Sequence, residues 1–293
     1  MSTQSAPLGV VVGVDGSAAS RVAVDWGARD AAMRRAPLTL VHVLPSAAVQ
    51  SWIQVPLPSA FYEDEKREAT RILADARAVV DAAATGLPEI TEKVVSGQPV
   101  PTLSDLSKNA DLLVVGSRGL GKWERRLLGS VSTGLVQHAH CPVAVIHDED
   151  PLIPHPADAP VVVGIDGSPA SEHATAIAFD QASRRGVDLV AVHTWSDAGY
   201  ALPEAGWAEI QPEEDLLLAE RLAGWQERYP DVTVARVVCR DQPARRLLDE
   251  SERAQLLVVG SHGRGGFAGM LLGSVGSQVV QSARTPVIVA RTA

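Results

Sequence analysis

Two copies of one glycine pattern are the residues best suited to chemistry in this chain. Gly116-Ser117-Arg118-Gly119 is followed after nine residues by Gly129-Ser130, and Gly260-Ser261-His262-Gly263 is followed after nine by Gly273-Ser274. Each copy comes directly after a short apolar run and directly before a segment predicted to be helical. Such a turn aims backbone N–H groups and the positive end of the helix dipole at one place, which favours binding of an anion such as phosphate.

The glycines by themselves leave two interpretations open. A glycine after a strand often only makes a turn with positive φ. The identical spacing of the two copies, in a chain whose other loops diverge, favours a working nucleotide site in at least one of them. Other phosphate motifs fit poorly, because Trp123 stands where a Walker A element needs Ser or Thr after Lys122. Neither copy has the Rossmann Gly-x-Gly-x-x-Gly after its first strand.

An aspartate stands at the end of the first predicted strand of each copy. Asp15 and Asp166 are each followed by Gly-Ser. In an open parallel sheet, ligands bind beyond the carboxyl ends of the strands, so both carboxylates are predicted to face the glycine loops. There they could accept hydrogen bonds from ribose hydroxyls or an adenine amino group. The alternative is that each carboxylate caps the following turn or helix, and the two roles are compatible.

The composition narrows the class of protein. With 293 residues, 46% hydrophobic and 21% charged, the chain is typical of a soluble globular protein with two domains. A net charge of -9 argues against non-specific binding to nucleic acid or acidic membranes. No apolar run approaches the roughly 18 residues of a membrane span. Two cysteines and the lack of a basic-then-apolar leader favour the cytoplasm.

The chain is a tandem repeat of a whole domain. Residues 9–17 align with residues 160–168 at an offset of 166 − 15 = 151, whereas the glycine loops align at 260 − 116 = 144. The proline-containing, charged segment 148–159 is predicted to be an exposed connector. We therefore place the domains at residues 1–154 and 155–293.

Within each copy, apolar strand-like runs alternate with longer helical runs, which predicts an α/β fold with a parallel sheet flanked by helices. Ser17 and Ser168 are predicted to cap the first helix of each copy. The predicted strands are residues 9–15, 38–44, 90–95, 112–116 and 143–147 in the first copy and 161–166, 187–193, 232–239, 256–260 and 287–290 in the second. The helix faces whose apolar side chains are predicted to cover the sheets contain Val22, Trp26, Arg29 and Asp30 in the first copy and Ala174, Ile177 and Ala178 in the second.

Over essentially its whole length, the chain resembles the universal stress protein family in its two-domain tandem form. The Gly-x2-Gly-x9-Gly-Ser element, which marks the ATP-binding members of that family, is present in both copies. The resemblance implies two five-stranded parallel sheets of order 3-2-1-4-5, one ATP site per domain, with or without Mg2+, and a stress-response role. It implies that the first site consists of Asp15, Val43, Gly116, Arg118, Gly119, Gly129, Ser130, Val131 and Ser132, and the second of Asp166, Thr194, Gly260, His262, Gly263, Gly273, Ser274, Val275 and Gly276.

The resemblance also implies that the last strand of such a domain pairs with that of another domain. Val143–Ile146 and Val287–Ala290 are apolar segments suited to this pairing, because an unpaired apolar strand edge invites a partner. We therefore predict a pseudo-dimer of the two domains within one chain, together with a homodimer of chains.

The two glycine loops differ in charge. The first carries four cations and one anion, 4 − 1 = +3, whereas Arg264 is the one formally charged residue of the second. We predict that the first site holds polyphosphate more tightly and with a steeper salt dependence, unless its cations are solvated surface side chains. His262, in the place of Arg118, either senses pH or acts as a spacer. The charged residues of the first loop are Arg118, Lys122, Arg125, Arg126 and Glu124.

The remaining chemically reactive residues have structural interpretations. His138-Ala-His140-Cys141 lacks a second ligand pair at zinc spacing, so no metal site is predicted. Cys239 is predicted to be a core residue, and His42 and His193 are predicted to be strand histidines with satisfied hydrogen bonds.

Two long aromatic and proline-containing segments, residues 45–62 and 195–212, are predicted to be loops that cover either an interface or the nucleotide.

Three classes of function remain at this stage. The first is an ATP-binding regulatory module, the second a slow ATP hydrolase or phosphoryl transferase, and the third an interaction scaffold with vestigial glycine loops. The first is preferred, because neither loop has paired metal-binding carboxylates.

Overall fold

The chain divides into two compact units, one ending at Asp148 and the other beginning at Glu149. We describe each unit by itself from a computed structural model. The predicted domain boundary between residues 154 and 155 lies outside the described residues. The described residues are 7–44, 59–119, 128–147, 157–195, 204–240, 242–264 and 271–291.

The described residues of the first unit form a five-stranded parallel sheet in the order β3-β2-β1-β4-β5, flanked by helices. This order agrees with the predicted 3-2-1-4-5, and it reverses direction between β1 and β4, where a crevice opens at the carboxyl ends of the strands. The elements are β1 Gly9–Gly13, α1 Ala18–Arg34, β2 Leu38–Leu44, α2 Ser59–Ala83, β3 Ile90–Ser96, α3 Pro99–Leu106, a 3-10 turn at Ser107–Asn109, β4 Ala110–Gly116, α4 Ser130–His138 and β5 Val143–Ile146.

The second unit repeats this arrangement with the order β8-β7-β6-β9-β10. All pairs are parallel, so the α/β class and the strand order are confirmed in both units. The elements are β6 Val161–Gly164, α5 Pro169–Arg185, β7 Leu189–Trp195, α6 Glu204–Arg228, β8 Val234–Arg240, α7 Pro243–Ser251, β9 Leu256–Gly260, α8 Ser274–Ser282 and β10 Val287–Ala290.

The central strands form because runs of β-branched residues are buried on both faces of each sheet. Val10, Val11 and Val12 of β1 have no exposed surface, and Val161–Val163 of β6 are equally buried. The turn after each of these strands contains a glycine with positive φ, Gly16 at 82° and Gly167 at 76°. This left-handed conformation favours glycine, and it turns the chain directly into the next helix.

Serine caps start these helices, as predicted. The Ser17 hydroxyl accepts a hydrogen bond from the Ser20 N–H at 3.1 Å, and the Ser168 hydroxyl accepts one from the Ser171 N–H at 3.2 Å. Each cap satisfies one of the N–H groups that a helix N-terminus leaves without a partner in the helix.

The sheet-facing side of α1 consists of small residues rather than the predicted Val22. Val22 is 41% exposed, whereas Ala23, Ala28 and Ala31 have no exposed surface. A Cβ added to Gly27 would lie 2.8 Å from Val12 Cγ2, so the helix approaches β1 too closely for a large side chain at this position. The prediction for Val22 was therefore wrong. In the second unit Ala174 and Ala178 are buried as predicted, but Ile177 is only half-buried.

The packing between the first two helices of each unit uses different side-chain volumes. In the first unit α1 packs against α2, and the buried side chains described for α2 are aliphatic, namely Ala69, Ile72, Leu73, Ala76 and Val80. In the second unit the Phe179 ring of α5 stacks on Trp225 and Tyr229, with ring centroids 6.0 and 5.7 Å apart. The first helices of the two units align at an offset of 151, so Phe179 corresponds to Ala28. The second helices align at an offset of 149, at which buried Leu222 matches buried Leu73. At that offset Trp225 corresponds to Ala76, and Tyr229 corresponds to Val80.

Two further predictions need correction. Residues 59–62 begin α2 and residues 204–212 begin α6, so both stretches are helical rather than loop, and Pro212 lies inside α6. Residues 45–58 and 196–203 lie outside the described part of the chain. Cys239 is partly exposed rather than a core residue, because β8 pairs on one side with β7 and lies at the end of the strand order of its unit.

None of the helices described has the length and apolar character needed to cross a membrane.

Candidate functional site

A cavity of about 700 Å³ lies at the carboxyl ends of β1, β2 and β4 in the first unit. It brings together all nine residues predicted for the first site, from Asp15 to Ser132. The residues that line the cavity without having been predicted for it include His42, Ser20, Pro99, Leu103 and Leu128.

A second cavity, of about 440 Å³, occupies the corresponding place in the second unit. It is lined by all nine residues predicted for the second site, from Asp166 to Gly276. Residues that the sequence did not assign to it include His193, Trp195, Ser171, Leu247 and Arg264.

The helix that begins at each cavity has glycine as its N-cap. Gly129 precedes α4 and Gly273 precedes α8, and neither helix has a side-chain hydrogen bond at its cap. This contrasts with the serine caps of α1 and α5. The first N–H groups of α4 and α8 therefore face the cavities without a capping side chain, which leaves them available to an anion.

The two N-cap glycines are not required by the backbone conformation. Gly129 has φ −63° and ψ 152°, and Gly273 has φ −69° and ψ 158°, which any residue adopts. A Cβ at Gly273 would meet its nearest neighbour, His262 Cα, at 3.4 Å, which is an ordinary contact. At Gly129 a Cβ would lie 3.3 Å from the Ser117 carbonyl oxygen, so close packing also favours glycine there. At Gly273, where Ser, Asn or Asp would be a stronger N-cap, glycine leaves the first helix N–H groups open to the cavity.

Backbone hydrogen bonds hold each glycine loop against the start of its helix. The Gly129 N–H donates to the Ser117 carbonyl at 2.8 Å, and the Gly273 N–H donates to the Ser261 carbonyl at 2.7 Å. In the first unit the buried Ser132 hydroxyl also donates to the Gly116 carbonyl at 2.6 Å. In each unit the strand end, the described first residues of the glycine loop and the helix N-terminus are therefore held together as one cradle.

Asp15 and Asp166 both hold their turns and face the loops. Asp15 Oδ1 accepts a hydrogen bond from the Ser17 N–H at 2.9 Å, and Asp166 Oδ1 accepts one from the Ser168 N–H at 2.9 Å. A Cβ added to Gly119 or to Gly263 would lie 2.6 Å from the Oδ2 atom of the aspartate of the same unit. The predicted turn-capping role is therefore present, and the second oxygen of each carboxylate lies against the glycine loop.

The environment of Asp166 favours its ionised form. Burial acts to raise the pKa of this carboxyl, but hydrogen bonds from the side chain and backbone of Ser168, from the Arg264 N–H and from the Ser171 hydroxyl outweigh burial and lower the pKa below its usual range. The Arg264 N–H lies 3.1 Å from Asp166 Oδ2. The second cavity therefore contains a fixed negative charge next to its N–H cradle.

The histidines of β2 and β7 are fixed in place, as predicted. His42 Nδ1 lies 2.7 Å from the Val14 carbonyl oxygen, and His193 Nδ1 lies 2.7 Å from the Ile165 carbonyl oxygen. Each of these carbonyls belongs to the residue before the site aspartate, so the two histidines support the strand ends that present Asp15 and Asp166. The sequence indicated the histidines by their repetition but not their place in the cavity lining.

The cation asymmetry between the two loops lies partly outside the described residues. Arg118 lines the first cavity, and His262 and Arg264 line the second. Lys122, Glu124, Arg125 and Arg126 fall in the segment 120–127, which is not described. Among the side chains that are described, no three His, Cys, Asp or Glu residues form a group that could hold a metal ion. Within the sequence His138–Cys141, Cys141 is buried, and burial raises the pKa of its thiol to about 12.

Comparisons with known proteins agree with this architecture. The Universal stress protein family matches residues 9–147 and 159–291. The chain is 57% identical over 294 residues to Universal stress protein Rv2623 of Mycobacterium tuberculosis H37Rv, covering 99% of both chains. It is 55% identical over 286 residues to Universal stress protein Mb2028c of Mycobacterium bovis, covering 97% of both.

Among solved structures, a universal stress protein from Archaeoglobus fulgidus DSM 4304 shares the fold. It superposes with a TM-score of 0.69 at 21% identity, over 97% of this chain and 96% of that one. The family matches in both halves and the full-length relatives lead to one conclusion: the chain belongs to the universal stress protein family and consists of two family domains in tandem.

Proposed function

We propose that each unit binds one adenine nucleotide, ATP, and that the protein is a stress-response regulator rather than a turnover enzyme. The observation that carries this proposal is the meeting, in each unit, of an uncapped helix N-terminus and a strand-end aspartate around one cavity. The first feature is suited to phosphate, and the second to ribose or to a base amino group.

The glycine-capped helices support a phosphate position at the start of α4 and α8. The first residues of each of these helices, whose N–H groups have no acceptor inside the helix, line the cavities together with the loop glycines; they are Ser130, Val131 and Ser132 in the first unit and Ser274, Val275 and Gly276 in the second. Charge-assisted hydrogen bonds from backbone N–H groups hold an anion locally. Such a local cradle is needed here, because the protein as a whole has a net charge of -9.

The apolar remainder of each cavity supports a position for the base and ribose. Val14, Val41 and Leu103 line the first cavity near Asp15, and Ile165, Val192 and Leu247 line the second near Asp166. An apolar slot with a few fixed polar groups is the usual form of a small-molecule site. Both cavity volumes lie in the range of about 300–1,000 Å³ found for such sites. Mg2+ enters the proposal only as the usual counter-ion of ATP.

The assembly is also a proposal. Apolar last strands, Val143–Ile146 and Val287–Ala290, support a pseudo-dimer of the two units within one chain, and relation to the family supports a homodimer of chains. In such an assembly nucleotide binding would bias one arrangement or partner surface over another, because a ligand shifts an equilibrium towards the state that it binds better. The cytoplasm is the proposed location.

The direct test identifies the ligand. Protein purified without added nucleotide, then denatured and analysed by mass spectrometry, is expected to release two equivalents of ATP per chain. The matched variants Gly129→Asp and Gly273→Asp should each release one equivalent, because each places a carboxylate in one phosphate cradle. A native protein that neither carries nor binds any adenine nucleotide would contradict the proposal. ATP hydrolysis faster than about 1 per second, as in kinases, would contradict the regulatory role.

The two sites are proposed to differ in salt dependence. Gly273→Asp leaves the first site and Gly129→Asp leaves the second, so each site can be titrated with ATP alone. The first site is expected to lose affinity more steeply between low and high salt, because its loop carries a net charge of +3. Equal slopes for the two variants would show that the loop cations lie away from the phosphates.

A further inference from the structure

We propose that His193 is a positioning residue of the second site, which ties the strand end carrying Asp166 to helix α6 through a shared proton. The inference rests on the proposed function and adds a residue to it. His193 is 6% exposed and lines the second cavity. Its ring joins two elements, since Nδ1 lies 2.7 Å from the Ile165 carbonyl oxygen of the β6 end and Nε2 lies 3.1 Å from Glu214 Oε2 of α6.

The hydrogen-bond geometry sets the number of protons on this pair. A carbonyl oxygen can only accept, so Nδ1 must donate its hydrogen to Ile165. Nε2 then faces a carboxylate oxygen, and a hydrogen bond between them needs a further proton, on either the imidazole or Glu214. The hydrogen bond between Nε2 and Glu214 therefore exists only while the pair holds one proton more than a neutral histidine beside an ionised glutamate.

The other groups around His193 leave Glu214 as its one direct charged partner among the described residues. Asp166 follows Ile165, and His262 and Arg264 reach the same cavity from the glycine loop. Strand β8 places the apolar Val238 opposite His193, and α7 contributes Leu247 to the cavity. On α6, Asp215 is paired with Arg236 at 3.0 Å, and Arg221 lies 3.6 Å from Glu172.

The direction of the pH effect follows from this geometry. With the shared proton present, the His193–Glu214 bond holds α6 against the strand end, and Asp166 stays in position beside the phosphate cradle. Loss of the proton at higher pH leaves a lone pair on Nε2 facing an ionised carboxylate, so the link is lost. ATP affinity at the second site should therefore fall as pH rises, by up to roughly tenfold per pH unit if one proton is required for binding.

The variant Glu214→Gln distinguishes the effect of the extra proton from the effect of the hydrogen bond that links His193 to α6. A glutamine amide can donate to the unprotonated Nε2 of a neutral histidine, so the link to α6 survives without the extra proton. The matched control is Glu213→Gln, which makes the same charge change at an exposed neighbour on the same helix. His193→Ala removes both hydrogen bonds.

The test measures ATP binding by calorimetry between acidic and alkaline pH in a Gly129→Asp background, which leaves the second site. The parent and Glu213→Gln proteins should weaken with rising pH, while Glu214→Gln should bind with nearly constant affinity. His193→Ala should bind roughly ten- to a hundredfold more weakly at the acidic end, because hydrogen bonds to a charged group are lost. Ring nitrogen NMR of the nucleotide-free protein, with His193 assigned from His193→Asn, should show Nδ1 protonated throughout and Nε2 losing its proton as pH rises.

Each other outcome overturns the inference in a distinct way. If Glu214→Gln keeps the parent pH dependence, the proton belongs to another group, of which His262 in the glycine loop is the nearest choice. If both His193→Ala and Glu214→Gln bind like the parent at every pH, His193 does not position the site, and the proposed function stands without it. If no nucleotide binds to the parent while NMR finds the shared proton, the proposed function fails and His193 is structural only.

Discussion

The substitution Gly273→Asp should raise the stability of the nucleotide-free protein and lower its affinity for ATP. Gly273 is the N-cap of α8 and has a backbone conformation open to any residue. An added Cβ would meet His262 Cα, the Ser261 carbonyl oxygen and the Gly263 nitrogen at 3.4, 3.5 and 3.7 Å, so the side chain fits without displacing the loop. The aspartate can then cap N–H groups that the wild-type protein leaves to the cavity.

The two effects have opposite signs and different sizes. A carboxylate cap in place of glycine, together with its attraction to the helix dipole, should raise the free energy of unfolding by about 0.3–1 kcal/mol. The same carboxylate beside a phosphate charge at about 4 Å is repelled by about 4 kcal/mol at an effective dielectric constant of 20, less with added salt. We therefore expect ATP affinity at the second site to fall at least roughly a hundredfold.

The assay combines urea unfolding of the nucleotide-free protein with calorimetric titration of ATP, both in the Gly129→Asp background. Gly273→Asn is the matched control, because asparagine caps as well as aspartate but carries no charge. It should stabilise similarly and weaken ATP binding much less. Unchanged ATP affinity in Gly273→Asp would refute the placement of phosphate at α8, and a loss of stability would show that the turn itself needs glycine.

Three other perturbations test separate parts of the structure. Gly167→Ala should cost roughly 1–2 kcal/mol of unfolding free energy, because φ is 76° there, whereas Gly224→Ala in the open interior of α6 should stabilise by up to about 1 kcal/mol; urea titration measures both. Alkylation at neutral pH, followed by mass spectrometry, should modify partly exposed Cys239 well before buried Cys141, whose thiol pKa is about 12. Because the pKa of Asp166 is lower in the folded protein than its unfolded value near 3.9, ionised Asp166 stabilises the fold above that value. This contribution is lost as pH falls through the lower folded pKa, so Asp166→Asn should flatten the acid end of a plot of unfolding free energy against pH.

The strand order and both cavities could be anticipated from the chain, for different reasons. Valine runs such as Val10–Val12 and Val161–Val163 form buried parallel strands wherever helices cover both faces, so periodicity and composition are sufficient to find them. The order 3-2-1-4-5 came from resemblance to the family, since spacing alone does not fix which strands are neighbours. The glycine loops were found because their repetition is visible in the sequence.

Other features depend on distances that a sequence does not contain. Val22 looked like a sheet-facing residue, but the close approach of Gly27 to Val12 turns the helix so that small residues face the sheet. Proline was interpreted as a loop signal at Pro212, which lies inside α6. The contact between His193 and Glu214 joins a strand to a helix 21 residues later, and no local pattern predicts that register.

The first two helices of the second unit contain aromatic rings at positions where those of the first unit contain aliphatic side chains. This difference limits how the two halves of the protein can be recombined. Moving Phe179 alone into the place of Ala28 would force an aromatic ring into a layer closed by Ala76 and Val80, and the reverse transfer would open a void beside Trp225. A chimera should therefore fold only when both helices are transplanted as a pair. In each unit the side-chain volumes of the first two helices are therefore matched to one another and not to those of the other unit.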